Sequence, residues 1–86
     1  MHKPILYFML PTCPYCRRAN QYLKELMEEN PLFRELEIRT VDESREVDFA
    51  NSYDYYYVPT FYVDGKKICE GVLEKEDIRS VLEQAV

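Results

Sequence analysis

The sequence predicts a small α/β protein, a four-stranded mixed sheet flanked by helices in the order β-α-β-α-β-β-α. Three observations support this prediction. An apolar run before residue 11 is followed by a helical apolar stripe that continues to residue 29. A half-buried strand pattern then occupies residues 35–41. Further on, two β-rich runs flank Asp64-Gly65, and an amphipathic helix follows them.

Length and composition limit the protein class. The 86 residues are enough for one hydrophobic core, so we expect residues 1–86 to form a single domain. A net charge of −5 argues against a nucleic-acid-binding protein, which needs a basic face. No segment approaches the ~20 apolar residues of a membrane span, and no secretory signal is visible. Three cysteines, two of them in one Cys-x-x-Cys, are not the disulfide framework of a secreted protein, so we expect a cytoplasmic one.

The first predicted strand is residues 4–10, where Ile5, Tyr7 and Phe8 favour β structure. The run is apolar throughout rather than alternating. We therefore expect helices to cover both of its faces. Pro11 ends it.

The first helix begins at Pro14, which suits the first helical position, with Thr12 or Cys13 as its N-cap. Asn30-Pro31 ends it. Its apolar side chains recur at intervals of three and four residues and form one stripe: Ala19, Tyr22, Leu23, Leu26 and Met27. Because a helix of this length joins it to the first strand, the strand at residues 35–41 should lie parallel to that strand, with a right-handed crossover.

The second half of the chain completes the pattern. A second helix is predicted at roughly 44–53, although it contains poor helix formers. The residues expected to face inward from it are Val47, Ala50 and Tyr53. Residues 60–63 and 66–70 should form a hairpin around Asp64-Gly65. A final helix at about 75–85 carries an apolar stripe. The stripe consists of Ile78, Val81, Leu82 and Ala85.

Cys13-Pro14-Tyr15-Cys16 lies between the first strand and the first helix. Two thiols three residues apart on a first helical turn lie on one face and can close a small disulfide ring. The first thiol sits where unpaired N–H groups and the helix dipole favour an anion. The thiolate is the reactive form of cysteine. A Cys-x-x-Cys in a βαβ context is therefore typical of a redox motif.

Three motifs, in this order and spacing, resemble those of thioredoxin-fold dithiol oxidoreductases: Cys13-Pro14-Tyr15-Cys16, Val58-Pro59-Thr60 and Asp64-Gly65. The tetrapeptide is the one typical of dithiol glutaredoxins. The resemblance implies a thioredoxin fold, with Cys13 as the nucleophile and Cys16 as the thiol that resolves the mixed disulfide. It also implies a cis Val58–Pro59 bond facing the active site.

The same resemblance indicates where a substrate would bind. Cis geometry would turn the backbone of Val58 toward the cysteines, where it could pair with an extended substrate strand. Tyr15, inside the motif, is expected to be an exposed aromatic contact. We therefore assign Pro14, Tyr15, Val58 and Pro59 to substrate binding.

The sequence also departs from the glutaredoxin pattern. Leu10 stands where those proteins usually carry a lysine, so we expect a smaller lowering of the Cys13 pKa than in a typical glutaredoxin. Residues 69–74 lack the Gly-Gly and following aspartate that bind glutathione; Glu70 or Glu74 would be a loose substitute for that acid. Residues 71–78 instead resemble the entry to the C-terminal helix of thioredoxins. The thioredoxin Trp-Cys-Gly-Pro-Cys is absent, and Tyr7 stands where thioredoxins carry a buried aspartate.

Several other residues have two interpretations, of which the structural one is favoured. Arg17 is expected to be a solvated helix residue rather than a source of positive potential at Cys13. Tyr55–Tyr57 are expected to place one or two rings in the core and the others on the surface, rather than to form a protein-docking patch. Cys69 is expected to be a small buried hydrophobe on the fourth strand rather than an accessory thiol open to glutathionylation.

A metal site is not expected. Zinc commonly takes four ligands, and beyond the Cys-x-x-Cys only Cys69 and His2 are left over. An iron–sulfur cluster shared between two chains, known for some glutaredoxins, is also disfavoured, because the ring of Pro14 should rigidify the loop.

We interpret the chain as a small cytoplasmic thiol–disulfide oxidoreductase that reduces protein or mixed disulfides by dithiol exchange. No bound cofactor is expected. The reductant is glutathione, favoured by the tetrapeptide, or a thioredoxin-reductase-type flavoenzyme, favoured by the missing glutathione residues. Disulfide-containing proteins are the expected partners of a monomer that binds neither nucleic acid nor membrane. The alternative is a redox-sensing module that docks a partner through Tyr55–Tyr57 without turnover.

Overall fold

A computed structural model describes residues 2–86 of the chain. Its elements are β1 (Ile5–Met9), α1 (Pro14–Glu29), a 3₁₀ helix (Pro31–Glu35), β2 (Ile38–Asp42), α2 (Val47–Asn51), β3 (Thr60–Val63), β4 (Lys66–Glu70) and α3 (Lys75–Ala85). The strand order is β2-β1-β3-β4. β1 pairs in parallel with β2 and antiparallel with β3, and β3 pairs antiparallel with β4. The predicted mixed four-stranded sheet is confirmed.

The central strand β1 contributes to both hydrophobic clusters of the protein. Tyr7 packs in the cluster under α1 and α3, whereas Phe8 packs with Val41, Ala50 and Tyr62 on the side of α2. Both Tyr7 and Phe8 are 0% exposed. The continuous apolar run in the sequence is therefore explained by helices on both faces of the sheet, as predicted.

The two long helices bury the faces that their sequences predicted. The buried side chains of α1 are Cys16, Ala19, Leu23 and Leu26, and those of α3 are Ile78, Val81, Leu82 and Ala85. Exposed ion pairs join the helices: Lys75 pairs with Glu25 at 3.1 Å and also with Glu29, and Arg79 pairs with Glu29 at 3.3 Å. Because exposed pairs contribute little to stability, apolar contact is what holds the helices together.

The second helix is shorter than predicted. The Asp42 carboxylate accepts hydrogen bonds from the Ser44 N–H at 2.9 Å and the Ser44 hydroxyl at 2.6 Å. Such side-chain bonds favour a turn over a helix, so α2 begins only at Val47. The inward position predicted for Val47 is wrong, since its side chain is 48% exposed. Ala50 is buried and Tyr53 is half-buried against the same cluster, as predicted.

The 3₁₀ helix after α1 was not predicted. The side chain of Asn30 accepts a hydrogen bond from the Leu32 N–H at 3.0 Å, which starts the extra turn behind Pro31. Phe33 is buried there against the main cluster. Because the extra turn occupies residues up to Glu35, the second strand begins at Ile38 rather than at residue 35. Within residues 2–86, no helix has the length and apolar character needed to cross a bilayer.

Candidate active site

The turn between β1 and α1 places Cys13 at the amino-terminal end of the longest helix. The Cys13 N–H donates to the Leu10 carbonyl at 3.1 Å, and Pro14 is the first helical residue. Cys13 is therefore the N-cap, with extended φ and ψ of −82° and 123°, and its side chain makes no capping bond in this structure. The sulfur is left beside the unpaired N–H groups of the first turn, partly exposed to solvent.

Nearby donor groups favour the thiolate of Cys13. Its small burial opposes ionisation and would raise the pKa, but the neighbouring Cys16 N–H, Cys16 thiol and Tyr15 N–H favour the charged sulfur and lower it. The positive charge of Arg17 adds a smaller contribution, so the pKa of Cys13 lies below the ordinary 9.0. Arg17 is exposed and donates to the Pro11 carbonyl at 3.3 Å. It is thus a solvated residue that also supplies positive potential.

The second cysteine has the opposite environment. Cys16 is 0% exposed, and burial raises the pKa of its thiol to about 12 even though the Leu10 N–H donates to its sulfur at 3.4 Å. The negative charges of Cys13 and Glu43 raise it further. The two thiols of one motif therefore differ: the pKa of the partly exposed Cys13 is lowered and the pKa of the buried Cys16 is raised. The predicted roles of nucleophile and resolving thiol need this difference.

The loop before β3 is held on both sides of Val58. The Val58–Pro59 peptide bond is cis. The Thr60 hydroxyl donates to the Tyr57 carbonyl, and the Gly71 N–H donates to the Pro59 carbonyl at 2.9 Å. Within residues 2–86, no group forms a hydrogen bond with the Val58 N–H or carbonyl. The Val58 peptide groups are thus the part of this loop open to another chain.

An apolar groove of about 270 Å³ lies beside this loop. It is lined by Tyr15, Tyr57, Val58, Gly71 and Val72. Tyr15, Tyr57 and Val72 are 47%, 69% and 60% exposed, so the groove is open to solvent. Tyr15 and Val58, predicted to bind substrate from separate motifs, meet in one groove.

Arg18 fixes one wall of that groove, a role that sequence reasoning missed. Its guanidinium donates to the Leu73 carbonyl at 2.8 Å and to the Glu74 carboxylate at 3.2 Å, and lies 5.9 Å from the ring centroid of Tyr15. Leu73 and Glu74 follow Arg18 in the chain by 55 and 56 positions. No local sequence pattern could therefore have revealed these contacts.

The three consecutive tyrosines divide between core and surface, as predicted. The Tyr55 ring stacks on Phe8 at 4.8 Å, and its hydroxyl donates to Glu43 at 2.7 Å. Tyr56 and Tyr57 are 82% and 69% exposed. Glu70, considered above as a substitute for the glutathione-binding acid, accepts hydrogen bonds from the N–H groups of Tyr56 and Tyr57 instead.

The third cysteine lies away from this chemistry. Cys69 is half-buried on β4 and packs against the main cluster. Burial raises the pKa of its thiol to about 11, so the thiol stays protonated at neutral pH. Within the part of the chain that the structure describes, no three His, Cys, Asp or Glu side chains gather as metal ligands would.

Comparison with known families agrees with this geometry. The family model of a thioredoxin domain, Thioredoxin_3, matches residues 5–83. This chain belongs to the thioredoxin-domain family. The thioredoxin fold and the cysteine pair at the start of its first helix make the protein a thiol oxidoreductase in general terms. No curated protein matched this thioredoxin domain by sequence.

Solved thioredoxins share the fold of this thioredoxin domain. The thioredoxin of Fasciola hepatica matches with 22% identity and a TM-score of 0.73, over 99% of this chain and 82% of its own. Mitochondrial thioredoxin 3 of Saccharomyces cerevisiae matches with 20% identity and a TM-score of 0.74, over 96% and 78%. An uncharacterised thioredoxin-like protein of Clostridium perfringens matches with 25% identity and a TM-score of 0.68, over 98% and 71%.

Proposed function

We propose that this thioredoxin domain reduces disulfides of other proteins by dithiol exchange through Cys13 and Cys16. The observation that carries the proposal is the contrast between the two thiols. Cys13 is accessible with a lowered pKa, and Cys16 is buried with its pKa raised to about 12. A thiolate attacks a disulfide readily, whereas a thiol that keeps its proton does not react until it is deprotonated.

The exchange proceeds in two balanced steps. The Cys13 thiolate attacks one sulfur of the substrate disulfide, forming a mixed disulfide and releasing the other substrate sulfur as a thiolate. The Cys16 thiol then gives up its proton to that leaving thiolate and attacks the Cys13 sulfur. A Cys13–Cys16 disulfide forms, and the second substrate sulfur is released. Two electrons pass from the protein to the substrate.

The first step makes the second one easier. The negative charge of Cys13 is one of the causes that raise the pKa of Cys16, after burial. Once Cys13 is in a mixed disulfide, that charge is gone, so the pKa of Cys16 falls. Because Cys13 and Cys16 lie on one helical turn, with each thiol affecting the pKa of the other, the resolving attack needs no rearrangement of α1.

The surroundings of Cys13 favour a polypeptide substrate over glutathione. The residues that line the groove are uncharged, whereas glutathione carries two carboxylates that need cationic or N–H partners. An extended chain can instead pair with the Val58 peptide groups and place an apolar side chain in the groove. Pro14, Tyr15, Val58 and Pro59 are accordingly the substrate-binding residues of this proposal.

We assign the remaining features on the same basis. The reductant is a thioredoxin-reductase-type flavoenzyme, since Glu70 is engaged within the chain, the residues lining the groove are uncharged, and the nearby Arg18 guanidinium is already bonded to the Leu73 carbonyl and Glu74. The protein acts as a monomer in the cytoplasm, without a bound cofactor, nucleic acid or membrane. A cycling dithiol needs a compartment that returns it to the reduced state.

A turnover assay tests the proposal. Insulin disulfides serve as the protein substrate, and the reductant is dithiothreitol, NADPH with thioredoxin reductase, or glutathione with glutathione reductase. We expect repeated turnover with dithiothreitol and with the flavoenzyme, little with glutathione, no activity in Cys13→Ser and full activity in Cys69→Ser. A single stoichiometric oxidation with every reductant would favour the redox-sensing module, for which the exposed ring of Tyr56 is the supporting observation.

A further inference from the structure

Glu70, the last residue of β4, reaches across to the loop that precedes β3. One of its carboxylate oxygens accepts hydrogen bonds from the Tyr56 N–H at 2.8 Å and the Tyr57 N–H at 3.1 Å. The other oxygen accepts from the Lys67 ammonium at 2.8 Å. The Glu70 side chain is 21% exposed, so these bonds are partly shielded from water. Lys67 and the two N–H groups lower the pKa of Glu70 to about 2, so it stays ionised at neutral pH.

The residue after Glu70 contacts the same loop on the other side of Val58. Gly71 adopts a positive φ of 93°, which favours glycine, and its N–H donates to the Pro59 carbonyl at 2.9 Å. The end of β4 therefore binds the loop at Tyr56–Tyr57 on one side of Val58 and at Pro59 on the other. The Val58 peptide groups, which make no hydrogen bond within residues 2–86, lie between these two anchors.

We propose that Glu70 is a positioning residue for the substrate strand, an inference that rests on the proposed function. By fixing the Tyr56 and Tyr57 amides, its carboxylate holds the Val58 peptide in the orientation that a substrate backbone must meet. It also holds Tyr57 as one wall of the apolar groove. Glu70 is not among the groups that shift the pKa of Cys13, which belong to residues 15, 16 and 17.

This role separates protein substrates from small ones. A polypeptide disulfide needs both strand pairing and the groove, whereas a small disulfide such as hydroxyethyl disulfide needs only the Cys13 thiolate. Loss of the Glu70 bonds should therefore raise KM for a protein substrate and leave the small disulfide unaffected. A merely structural contribution of Glu70 would reduce both activities together.

Glu70→Ala and Glu70→Gln test the proposal, with Glu83→Gln as the matched control. Glu83 is an exposed glutamate of α3 whose side chain makes no hydrogen bond within residues 2–86, so its variant removes the same charge without a contact. Turnover with dithiothreitol is measured on insulin and on hydroxyethyl disulfide. We expect E70A to raise KM for insulin about tenfold, the scale of a lost charge-assisted hydrogen bond, with kcat nearly unchanged.

The conservative variant and an independent readout sharpen the test. The amide oxygen of E70Q still accepts from the two N–H groups, so the insulin KM should rise less in E70Q than in E70A. Hydrogen exchange of the Tyr56 and Tyr57 amides should accelerate in E70A and much less in E70Q, and should not change in E83Q. If E70A does not fold, E70Q is compared with Lys67→Met, which leaves the carboxylate without its cation; both should raise the insulin KM moderately.

Two failures are distinguishable. Wild-type protein that does not turn over insulin overturns the proposed function and the role of Glu70 with it. Wild-type turnover combined with an unchanged insulin KM in the Glu70 variants, or with equal losses on both substrates, overturns the role of Glu70 alone.

Discussion

At the scale of single residues, three positions along one helical turn separate a partly exposed thiol with a lowered pKa from a buried thiol with a raised one. Cys13 lies before the first turn, beside the unpaired N–H groups of the helix, and Cys16 lies on the side of α1 that faces the sheet. The same backbone geometry thus produces both environments. A Cys-x-x-Cys gives this result only when its first cysteine is the N-cap and its second falls on the apolar stripe.

The first prediction concerns the pKa of Cys13, which the rate of alkylation by iodoacetamide as a function of pH reports. In wild-type protein we expect an apparent value below the ~8.5 of free cysteine. It should be higher in Cys16→Ala than in Cys16→Ser, because a serine hydroxyl can still donate to the Cys13 sulfur. Cys69→Ser is the background control. A wild-type pKa at or above ~8.5 would contradict the claim that the helix start activates Cys13.

At the scale of secondary-structure elements, Tyr7 connects β1 to the reactive end of α1. Its ring stacks on Phe61, with centroids 4.5 Å apart and an interplanar angle of 1°. Its hydroxyl lies 2.7 Å from the Asn20 side-chain oxygen and 3.3 Å from the Cys16 carbonyl, and donates to them. Burial raises the pKa of Tyr7 far above its usual 10.0, so this hydroxyl acts as a donor and not as a base.

The second prediction follows from that contact. Tyr7→Phe removes one buried hydroxyl and its hydrogen bonds, so it should lower the free energy of unfolding by about 1 kcal/mol. Urea denaturation measures this. Tyr22→Phe is the matched control, because the Tyr22 hydroxyl makes no hydrogen bond within the described part of the chain and its loss should change stability little. Equal effects of the two changes would contradict the anchoring role of Tyr7.

The elements also show which parts of the structure the sequence could predict. The stripes of α1 and α3 were predictable, because each helix buries side chains at intervals of three and four residues. The start of α2 was not, since the Asp42–Ser44 turn competes with a helix through side-chain bonds that propensities do not weigh. The bonds from Glu70 to the Tyr56 and Tyr57 amides were not predictable either. Those two amides lie 14 and 13 residues away, and only the folded sheet brings them to the carboxylate.

At the scale of the whole molecule, the two faces of the sheet are covered by different kinds of side chain. The face toward α1 and α3 carries the main aliphatic cluster, including Cys16. The other face carries an aromatic group in which Phe8 contacts Phe49, Tyr53, Tyr55 and Tyr62 with ring centroids 4.8–6.1 Å apart. The reactive thiol lies just beyond β1, which like β3 contributes side chains to both clusters. A core packed on both faces of the sheet therefore supports a site that is open on one edge.

The third prediction concerns the alkaline stability of the reduced protein. Burial raises the pKa of Cys16 to about 12 in the folded state, against 9.0 for an ordinary thiol. Stability from the protonated thiol is fully present below pH 9 and is lost as the pH rises toward 12, because the unfolded chain releases this proton first. Urea unfolding measures the free energy of unfolding at several pH values between 8 and about 11. This free energy should fall less with rising pH in Cys16→Ala than in the wild-type protein. The same fall in both proteins would contradict a protonated buried Cys16.

The most direct test of the account is a trapping experiment read by mass spectrometry. Reduced Cys16→Ser and Cys13→Ser proteins are each mixed with a disulfide-containing protein, and any covalent adduct is mapped to its cysteine. If Cys13 is the nucleophile, a stable mixed disulfide forms on Cys13 in the Cys16→Ser protein and none forms in the Cys13→Ser protein. An adduct on Cys16 or Cys69 in the Cys13→Ser protein, or no adduct in either protein, would contradict it.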